Sequence, residues 1–423
     1  MRYDKKPTVC VIGLGYIGLP TAAIIARAGC QVLGVDVDKN VVDTIAQGKI
    51  HIEEVELDGL VQGVVSRGML HTSLEVQPSD VFVVAVPTPF GEDKAPDTSY
   101  ILAATQKIAE VLKAGDTIIL ESTSPVGTTK KMRDMIASLR PDLKVPGLSD
   151  EAPDIAIAYC PERVLPGKIL EELIYNDRSI GGITPRCARK ALTFYKYFVR
   201  GECVTTDAES AEMTKLVENA YRDVNIAFAN ELSIISDKMG LNIWEIIKLA
   251  NRHPRVNILQ PGPGVGGHCI AVDPWFIVHS APEESPLIRT ARTVNDYKTD
   301  HVLGQVKHII EQNPSAKIAC LGLAFKANID DFRESPAKKI AACLAREYGE
   351  RVSIVEPYAS ILPTEFENTA AELIDIDKAI ADCEIFVALV DHDIFKSIPL
   401  AERSNKIVYD TRGIWPDQIR NPE

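Results

Sequence analysis

The chain of 423 residues exceeds what one hydrophobic core usually organises, so two or three domains are expected. Hydrophobic residues make up 46% of it and charged residues 25%, which is typical of a globular protein. The formal net charge of −13 excludes a general nucleic-acid-binding role, because phosphate binding needs a basic surface. No segment approaches the roughly 18 consecutive apolar residues of a membrane span, so membrane insertion is not expected.

The nine cysteines include no CxxC pair and lie within otherwise apolar segments. Free cysteines of this kind commonly fill hydrophobic cores in reducing compartments, so a cytoplasmic protein is predicted. No metal site is predicted.

Residues 8–36 predict a strand, a glycine turn, a helix and a second strand, which together form a βαβ unit. Short apolar runs at 81–86, 117–120 and 155–158 alternate with helical patterns such as 99–113. This alternation predicts a parallel sheet covered by helices. The first α/β domain is assigned to residues 1–205.

Residues 207–251 show a continuous helical pattern with a break at 240–242. A helix this long cannot bury its apolar face against itself, so that face predicts a homodimer or a higher homo-oligomer. The face comprises Met213, Leu216, Val217, Ala220, Val224, Ala227 and Phe228. With the Pro- and Gly-rich segment 252–275 and a helical stretch near 286–312, it forms a central region assigned to 206–312.

A second α/β pattern is assigned to residues 313–423. Its predicted strands are 316–323, 352–356, 385–390 and 406–410, with helices near 335–348 and 374–382. The predicted fold class is therefore α/β, with an N-terminal Rossmann domain, a central long-helix region and a second, Rossmann-like domain at the C-terminus.

A GxGxxG turn lies between the first strand and the first helix, formed by Gly13, Gly15 and Gly18 with Tyr16 and Ile17. Asp36 follows the last glycine by 18 residues, at the end of the next predicted strand. Glycines allow a pyrophosphate to approach the helix N-terminus, and the carboxylate can accept hydrogen bonds from ribose hydroxyls. The carboxylate would repel a 2′-phosphate, so NAD is predicted rather than NADP. The alternative is a tight turn that binds no nucleotide.

A second cluster of glycines, at 262–267, precedes Cys269, with His253 and Arg255 nearby in sequence. So many glycines indicate backbone close to a ligand, and polar surroundings favour a reactive thiolate. The alternative is a core cysteine beside a structural turn. Lys215 and Asn219 are four residues apart on the predicted long helix, so they project from one face, and Arg222 can join them. Their alternative is a solvated polar stripe.

Several separated motifs occur in a fixed order: GLGYIGLP, VPTP (86–89), STSPVG (122–127), CPERVLPG (160–167), AEMTKLVENAYRDVNIAFANE, GVGGHCIAVDP (264–274) and GLAFKANIDDFRESP (322–336). In these motifs the chain resembles the UDP-glucose/UDP-mannose dehydrogenase family over nearly its full length. The resemblance implies a Rossmann domain for NAD, a dimerising central helix and a C-terminal domain that binds the UDP part of a UDP-sugar.

The resemblance also implies catalytic roles. A cysteine in the position of Cys269 attacks the aldehyde formed by a first oxidation, and the adduct is oxidised again to a thioester that is hydrolysed. Lys215 and Asn219 would handle the proton and stabilise the oxyanion, and Asp273 would orient the lysine or water. Glu162 would activate the hydrolytic water. The division of base and stabiliser roles among Lys215, Asp273 and Glu162 stays open.

The resemblance further implies that Thr88 and Thr123 lie beside the cofactor, with Thr123 also close to the water. The implied substrate contacts are Arg163, Val164, Lys215, Asn219, Arg222, His253, Arg255, Gly266, Phe325, Lys326 and Arg333. Basic side chains among them suit a pyrophosphate. The alternative for Lys326 and Arg333 is ion pairing with Asp330, Asp331 or Glu334.

Two stretches depart from the UDP-glucose branch of the family, namely Ile270-Ala271-Val272-Asp273 and Pro161-Glu162-Arg163-Val164. They are most similar to the branch that oxidises UDP-N-acetyl-D-mannosamine for surface polysaccharides, with the UDP-N-acetylglucosamine 6-dehydrogenases as the alternative. Arg163, Val164 and His253 are then expected to contact the N-acetyl sugar.

Three other interpretations are alternatives. A non-catalytic NAD or nucleotide-sugar sensor would lack the thiol or the lysine, and a hydroxyacid dehydrogenase of the 6-phosphogluconate type would need no nucleophilic cysteine. The segment 322–326 is similar to the start of a second dinucleotide site, but it lacks the remaining glycines, so UDP is predicted there.

Overall fold

The structure is a computed structural model that describes residues 6–52, 54, 56–91, 94–148, 152–164, 167–267 and 269–415. His268, Leu165 and Pro166, which belong to the quoted motifs, lie outside the described residues. Contacts divide the chain into two compact units, Met1–Val217 with Trp275–Ser280, and Glu218–Pro274 with Ala281–Glu423.

The first unit contains an eight-stranded sheet in the order β3-β2-β1-β4-β5-β6-β7-β8. Its central strands are buried on both faces, as expected for parallel strands covered by helices. The strands are β1 (Thr8–Ile12), β2 (Gln31–Val35), β3 (Leu70–Ser73), β4 (Val81–Val84), β5 (Thr117–Leu120), β6 (Ala156–Tyr159), β7 (Arg178–Gly182) and β8 (Cys203–Asp207). The helices of this part of the chain are α1 (Gly18–Arg27), α2 (Lys39–Ala46), α3 (Leu57–Ser66), α4 (Ser99–Val111), α5 (Thr128–Leu139), α6 (Ile169–Tyr175) and α7 (Pro185–Tyr195).

The sheet is parallel, as predicted, except at one strand pair, where β7 runs antiparallel to β6. The chain leaves β6 at the carboxyl edge, and the seven-residue helix α6 is about 10 Å long, too short to carry it back across the sheet. The chain therefore enters β7 at the same edge. Extending the pairing of Ala158 with Gly182 and Tyr159 with Gly181 places Arg178 opposite Glu162.

The predicted long helix is present as α8 (Ala208–Met239), followed by α9 (Ile243–Ala250), α10 (Asp273–Ser280) and α11 (Pro286–Gln312). The predicted break is confirmed, since Gly240 has a φ of +66° and the Asn242 side chain caps α9. The predicted single apolar face divides into two stripes. Leu216, Ala220 and Ala227 are buried, Val224 is half-buried, and the remaining members of the face are exposed: Met213, Val217 and Phe228.

The second unit ends in a five-stranded parallel sheet of order β11-β10-β9-β12-β13, which repeats the order of the first five strands of the other sheet. Its strands are β9 (Ile318–Leu321), β10 (Val352–Val355), β11 (Glu372–Leu373), β12 (Ile385–Ala388) and β13 (Ile407–Asp410). Its helices are α12 (Pro336–Tyr348), α13 (Ile376–Asp382), α14 (Asp393–Lys396) and α15 (Leu400–Arg403), with 3₁₀ turns at Gly349–Arg351 and Thr364–Phe366. The predicted fold class is confirmed. None of the helices in the described ranges is long and apolar enough to cross a membrane.

Candidate active site

The turn between β1 and α1 has the geometry of a dinucleotide-binding turn. Gly13 has a φ of +90°, and a β-carbon at Gly18 would lie 1.7 Å from the Gly13 carbonyl oxygen, so both positions require glycine. Around Gly15 no atom lies within 4 Å of the site of a β-carbon, which leaves open space at the helix N-terminus. Tyr16 and Ile17 are half-buried beside this opening. The turn therefore fits the pyrophosphate of NAD.

Asp36 directly follows β2 and is half-buried. The backbone N–H of Leu14 donates to its Oδ2 at 2.8 Å, and the N–H of Asp38 donates to its Oδ1 at 3.0 Å. A carboxylate has about four acceptor sites, so lone pairs remain for ribose hydroxyls. Asp36 thus fixes the glycine turn and still has acceptor capacity for an adenosine ribose.

The loops that leave β4 and β5 carry hydroxyl groups at the same edge of the sheet. The Oγ1 of Thr88 and the Oγ of Ser124 are buried without a hydrogen-bond partner in the described part of the chain. The Ser122 hydroxyl donates to the carbonyl of Val86 at 2.7 Å and so joins the two loops, and Thr123 beside it is half-buried. Unpaired buried hydroxyls at the carboxyl ends of parallel strands are what a bound cofactor would satisfy.

Helix α8 anchors the loop of Thr123 through a residue that the motifs did not single out. Glu212 is fully buried and accepts hydrogen bonds from the N–H of Gly127 at 2.6 Å and from the N–H and hydroxyl of Thr129 at 2.8 and 2.6 Å. It lies three residues before Lys215, about one helical turn away. The cofactor loop and the lysine are thereby positioned by one helix.

Glu162 belongs to a buried group of polar and charged side chains beyond the carboxyl end of β6. Its neighbours in that group are Glu121, Cys160, Arg178 and Tyr195, all at most 3% exposed, and the Tyr195 hydroxyl donates to Glu121 at 2.5 Å. Burial raises the pKa of Glu162 to about 7, while Arg178 and Lys215 act in the opposite direction. The carboxyl can therefore gain or lose a proton near neutral pH.

Arg163 and Val164 make contacts within the first unit. An Nη2 of Arg163 donates to the Ser179 hydroxyl at 2.9 Å, and Asn176 donates to the Arg163 carbonyl at 2.8 Å. Val164 packs against the hydrophobic core of the first sheet. Contact of either residue with a sugar stays a prediction.

Two polar residues of α8 that were predicted to act together are partly accessible. Lys215 and Asn219 are half-buried, and the Asn219 amide donates to Asp273, which is 3% exposed and begins α10. Arg222, one turn further along, is exposed.

Cys269 is exposed, in contrast to the buried cysteines of the two sheets. Its backbone carbonyl accepts from the N–H groups of Val272 at 3.1 Å and Asp273 at 2.9 Å, so the residue is fixed one turn ahead of α10. The alternative of a core cysteine is therefore wrong for this residue. Its thiol is accessible to a substrate, as a nucleophile must be.

The glycine loop before Cys269 packs against the start of the C-terminal domain. The Gly267 N–H donates to the carbonyl of Arg333 at 3.2 Å, and β-carbons at Gly266 and Gly267 would lie 2.9 and 3.1 Å from Phe325. Three of the predicted substrate contacts, Gly266, Phe325 and Arg333, are thus brought together. Lys326 is exposed.

The ion pair that was the alternative for Arg333 is present, since its guanidinium donates to both carboxylate oxygens of Asp331 at 2.8 and 2.5 Å. His253 and Arg255 are exposed in the segment after α9, where the Arg255 N–H donates to Nδ1 of His253 at 3.3 Å. Their contact with a substrate stays a prediction.

Arg412 is a further cation beside the glycine loop that the motifs did not single out. It follows β13 at the carboxyl edge of the sheet, lines a cleft with Gly264 and Phe325, and donates to Asp391 at 3.0 Å. The signal that would have identified it is a basic residue directly after a predicted parallel strand, because ligands bind at that edge.

The second Rossmann-like domain has a carboxylate where Asp36 stands in the first, but it is closed off. Glu356 follows β10, is 3% exposed, and accepts from the N–H groups of Leu323 at 2.6 Å, Ala324 at 3.2 Å and Tyr358 at 3.0 Å. His392, fully buried, lies 3.3 Å from the same carboxylate. This carboxylate has no accessible acceptor for a ribose, which disfavours a second dinucleotide site.

The fold and these sites define an NAD-dependent dehydrogenase with two Rossmann-like domains. Three family models match the chain: the NAD binding domain of the UDP-glucose/GDP-mannose dehydrogenase family at residues 7–199, its central domain at 209–297 and its UDP binding domain at 319–417. The chain belongs to this family and is an NAD-dependent UDP-sugar dehydrogenase.

Relatives of known name match over nearly the whole chain. The chain is 54% identical to NDP-N-acetyl-D-galactosaminuronic acid dehydrogenase of Ralstonia nicotianae over 408 residues, 96% of each protein. It is 52% identical to UDP-N-acetyl-D-mannosamine dehydrogenase of Escherichia coli strain K12 over 416 residues, 96% of this chain and 99% of the relative. The solved structure of UDP-D-ManNAc dehydrogenase from Pyrococcus horikoshii superposes with a TM-score of 0.86 at 38% identity, covering 98% of this chain and 96% of the other.

Proposed function

We propose that the chain oxidises UDP-N-acetyl-D-mannosamine to UDP-N-acetyl-D-mannosaminuronate in two NAD-dependent steps, through a covalent intermediate on Cys269. The observation that carries the proposal is the exposed thiol of Cys269 at the end of a glycine loop held by buried contacts. The substrate rests on the mannosamine dehydrogenases among the relatives and on the residues around Asp273 and Glu162.

The chemistry that NAD supplies when bound is acceptance of a hydride from C6, once from the alcohol and once from the adduct described next. In the first step Lys215, assisted by Asn219, would take up the proton of the C6 hydroxyl and stabilise the developing oxyanion, and loss of the proton together with the hydride leaves an aldehyde. The Cys269 thiolate then adds to the aldehyde carbon to form a thiohemiacetal, whose oxyanion is stabilised by the same polar groups. Loss of the second hydride converts the thiohemiacetal into a thioester.

Hydrolysis of the thioester needs a base, and Glu162 is proposed for this role. A carboxyl with a pKa of about 7 is half ionised at neutral pH, so it can take a proton from the attacking water. Asp273 orients Asn219 through their hydrogen bond, and Thr123 contributes a hydroxyl beside cofactor and water. The products are the uronate and the free thiol, which balances the reaction.

The UDP part is proposed to bind in the C-terminal domain. Lys326 and Arg333 are the predicted cations there, and Arg412 joins them at the carboxyl edge of the sheet. We assign residues 1–205 to the NAD domain, 206–312 to the central region and 313–423 to the UDP domain. Arg163, Val164, Arg222, His253 and Arg255 are proposed to complete the substrate site.

A second candidate substrate is favoured by a specific finding. Relatives from Ralstonia that share 54% of their residues with the chain are named for N-acetyl-D-galactosaminuronic acid. Their similarity is as high as that of the mannosamine enzymes, so UDP-N-acetylgalactosamine must be compared directly.

We also propose that the protein is a homodimer in the cytoplasm and that its product is a precursor of surface polysaccharide. The nine cysteines are all free thiols, which suits a reducing compartment. The dimer rests on the exposed apolar residues of α8 at positions 213, 217, 221, 228, 235 and 239. At 100° per residue these positions fall within an arc of about 80° and extend over roughly 39 Å of helix.

The test is to measure NADH formed per sugar consumed, with the UDP derivatives of N-acetylmannosamine, N-acetylgalactosamine, N-acetylglucosamine and glucose in separate reactions. About two NADH per N-acetylmannosamine derivative, because two hydrides leave C6, is the expected result. A preference for another sugar would replace the proposed substrate and keep the mechanism. One NADH per sugar with the unchanged enzyme would overturn the four-electron scheme.

The covalent step is tested with the variant Cys269→Ser, which keeps the shape of the side chain and removes the thiolate. It is expected to release one NADH and stop at the aldehyde, which a carbonyl-trapping reagent would detect. Full conversion to the acid by Cys269→Ser would contradict the covalent mechanism.

A further inference from the structure

The glycine loop 262–267 starts where two long helices are joined by a chain of buried side chains. Asn230 on α8 and Asn295 on α11 are both fully buried. The Gly262 N–H donates to Oδ1 of Asn230 at 3.0 Å, and the Asn230 amide donates to Oδ1 of Asn295 at 2.8 Å. This series of hydrogen bonds therefore ends on the backbone of the glycine loop that leads to Cys269.

The other end of this series of hydrogen bonds is Asp223, which determines which way the amide groups are turned. The Asn295 amide donates to Oδ1 of Asp223 at 2.8 Å and to the Asp223 carbonyl at 3.1 Å. Arg292, 2% exposed, donates to the same Oδ1 at 2.6 Å. Burial raises the pKa of Asp223, and Arg292 acts in the opposite direction. Because a backbone carbonyl only accepts, Asn295 must point its NH₂ group toward Asp223 and its oxygen toward Asn230. Asn230 must then present its own oxygen to Gly262.

A second helix contact holds the next residue of the loop. The Thr299 hydroxyl on α11 donates to the carbonyl of Pro263 at 3.0 Å. Gly264 has a φ of +143°, and a β-carbon there would lie 2.4 Å from the Thr299 hydroxyl, so the loop passes directly over that side chain. The N–H of one residue and the carbonyl of the next are thus each bound by a buried side chain from a different helix.

We propose that Asn230, Asn295 and Thr299 are positioning residues for Cys269, which set the path of the glycine loop and so the placement of its thiol. The proposal rests on the proposed role of Cys269 as nucleophile. Asn230 lies in the α8 motif at 211–231, which assigns it no role, and none of the three is among the residues predicted to contact substrate or cofactor. When one member of a buried amide network is lost, its partners are left without a hydrogen bond. Each substitution is therefore expected to disturb the loop that the network holds.

Two substitutions of similar shape remove single contacts. Asn230→Leu removes the acceptor for Gly262, and Thr299→Val removes the donor to Pro263. Both are expected to lower kcat for complete oxidation, Asn230→Leu by on the order of a hundredfold, as a small misplacement of a nucleophile does. The Kd for NAD should stay at the parent value. Thr299→Ser restores the hydroxyl and should restore kcat. The matched control is Ser236→Ala, at a buried serine of α8 six residues beyond Asn230 that makes none of the loop contacts described above.

A double-substitution cycle separates positioning of the thiol from general damage. In the Cys269→Ser background the remaining reaction is the first oxidation, and there Asn230→Leu should change the rate at saturating substrate by no more than about twofold, the scatter of independent substitutions. Equal losses in both backgrounds, or no loss in either, would overturn the proposal. Far-UV circular dichroism and the thermal midpoint show that each variant is folded, and if Asn230→Leu does not fold, Thr299→Val and Thr299→Ser carry the test.

A readout independent of any UDP-sugar distinguishes failure of the proposal from failure of the proposed function. The rate constant for alkylation of Cys269 by iodoacetamide, followed by mass spectrometry, should change in Asn230→Leu and Thr299→Val by more than about twofold and return in Thr299→Ser. If the parent forms no NADH with any UDP-sugar but these rates still change, the positioning stands and the assigned reaction is wrong. Unchanged alkylation rates in both variants would reject the positioning whatever the substrate.

Discussion

Asp36 has two tasks that a single substitution can separate. Its Oδ2 accepts from the Leu14 N–H inside the glycine turn, while its remaining lone pairs face the proposed ribose site. Asp36→Asn keeps one acceptor for Leu14 and loses the charge, so the fold should persist. NAD affinity should fall by about tenfold or more, since a hydrogen bond to a charged group contributes roughly 1.5–3 kcal/mol. Isothermal titration with NAD would measure it.

The control for that prediction is Asp38→Asn, two residues further along at the exposed N-cap of α2. Its side chain accepts only from its own helix, so NAD affinity should not change. Equal affinities for NAD in the parent and in Asp36→Asn would remove Asp36 from the ribose site.

Glu162 gives the proposed hydrolysis a definite pH dependence. The base is the ionised carboxylate, and burial raises the pKa of Glu162 to about 7. Below pH 7 the carboxyl is mostly protonated, so the rate of thioester hydrolysis should rise as the pH increases through about 7 and then level off. Glu162→Gln should lose this rise and slow hydrolysis by about a hundredfold or more.

Mass spectrometry of acid-quenched Glu162→Gln should then show a covalent adduct on Cys269. Glu171→Gln, at an exposed position of α6, is the matched control and should show neither effect. A Glu162→Gln variant that keeps the parent pH profile would assign the base to another group.

At the scale of single elements, the first turns of the long helix α8 hold the cofactor loop of Thr123 in place. Glu212 accepts three hydrogen bonds from the loop after β5 in a fully buried place. Glu212→Gln turns an NH₂ group toward these donors, so at least one is left unpaired. We expect a loss of about 1–3 kcal/mol in the free energy of unfolding, together with weaker NAD binding. Urea denaturation and NAD titration would measure the two effects.

Glu209, one turn earlier on the same helix, provides the comparison. It forms an exposed ion pair with Lys130, and Glu209→Gln should change stability by no more than about 1 kcal/mol. Equal effects of the two substitutions would mean that Glu212 has no special part in holding the loop.

The elements that were predicted well are those whose pattern is local. The periodicity and the Gly240 break located α8, α9 and α11, and the buried runs located β4 and β5, each close to its observed bounds. The antiparallel direction of β7 was not predicted, because it depends on the length of the connection that precedes the strand and not on the residues of the strand itself.

The same contrast separates the site residues. Motifs identified Cys269 and Asp36 because glycine turns leave a signature in sequence. Glu212 and Asn230 lie within the motif at 211–231, but that motif assigns them no role, and Arg412 lies in none of the quoted motifs. Each acts on a loop between 32 and 150 positions away, and the tertiary fold brings them there.

The whole molecule repeats one structural device in its two Rossmann-like domains. In each domain the carboxylate that follows the second strand accepts a hydrogen bond from the backbone N–H of the residue after the glycine that ends the first strand. Asp36 accepts from Leu14 in the N-terminal domain, and Glu356 accepts from Leu323 in the C-terminal domain. In the N-terminal domain the acid is partly open, and in the C-terminal domain His392 closes it. The carboxylate of the N-terminal domain is therefore able to accept a hydrogen bond from a ribose, whereas the equivalent carboxylate of the C-terminal domain is not.

The proposed dimer rests on the exposed stripe of α8. Phe228 is 52% exposed and lies near the middle of that stripe, where a two-fold axis would bring the two copies of the helix together. Phe228→Glu would place a buried charge in each half of such an interface, so the variant should sediment as a monomer at micromolar concentration while the parent sediments as a dimer. Lys248→Glu, an exposed change of charge on α9, should leave the dimer intact. A monomeric parent, or a Phe228→Glu variant of unchanged mass, would exclude this stripe as the dimer interface.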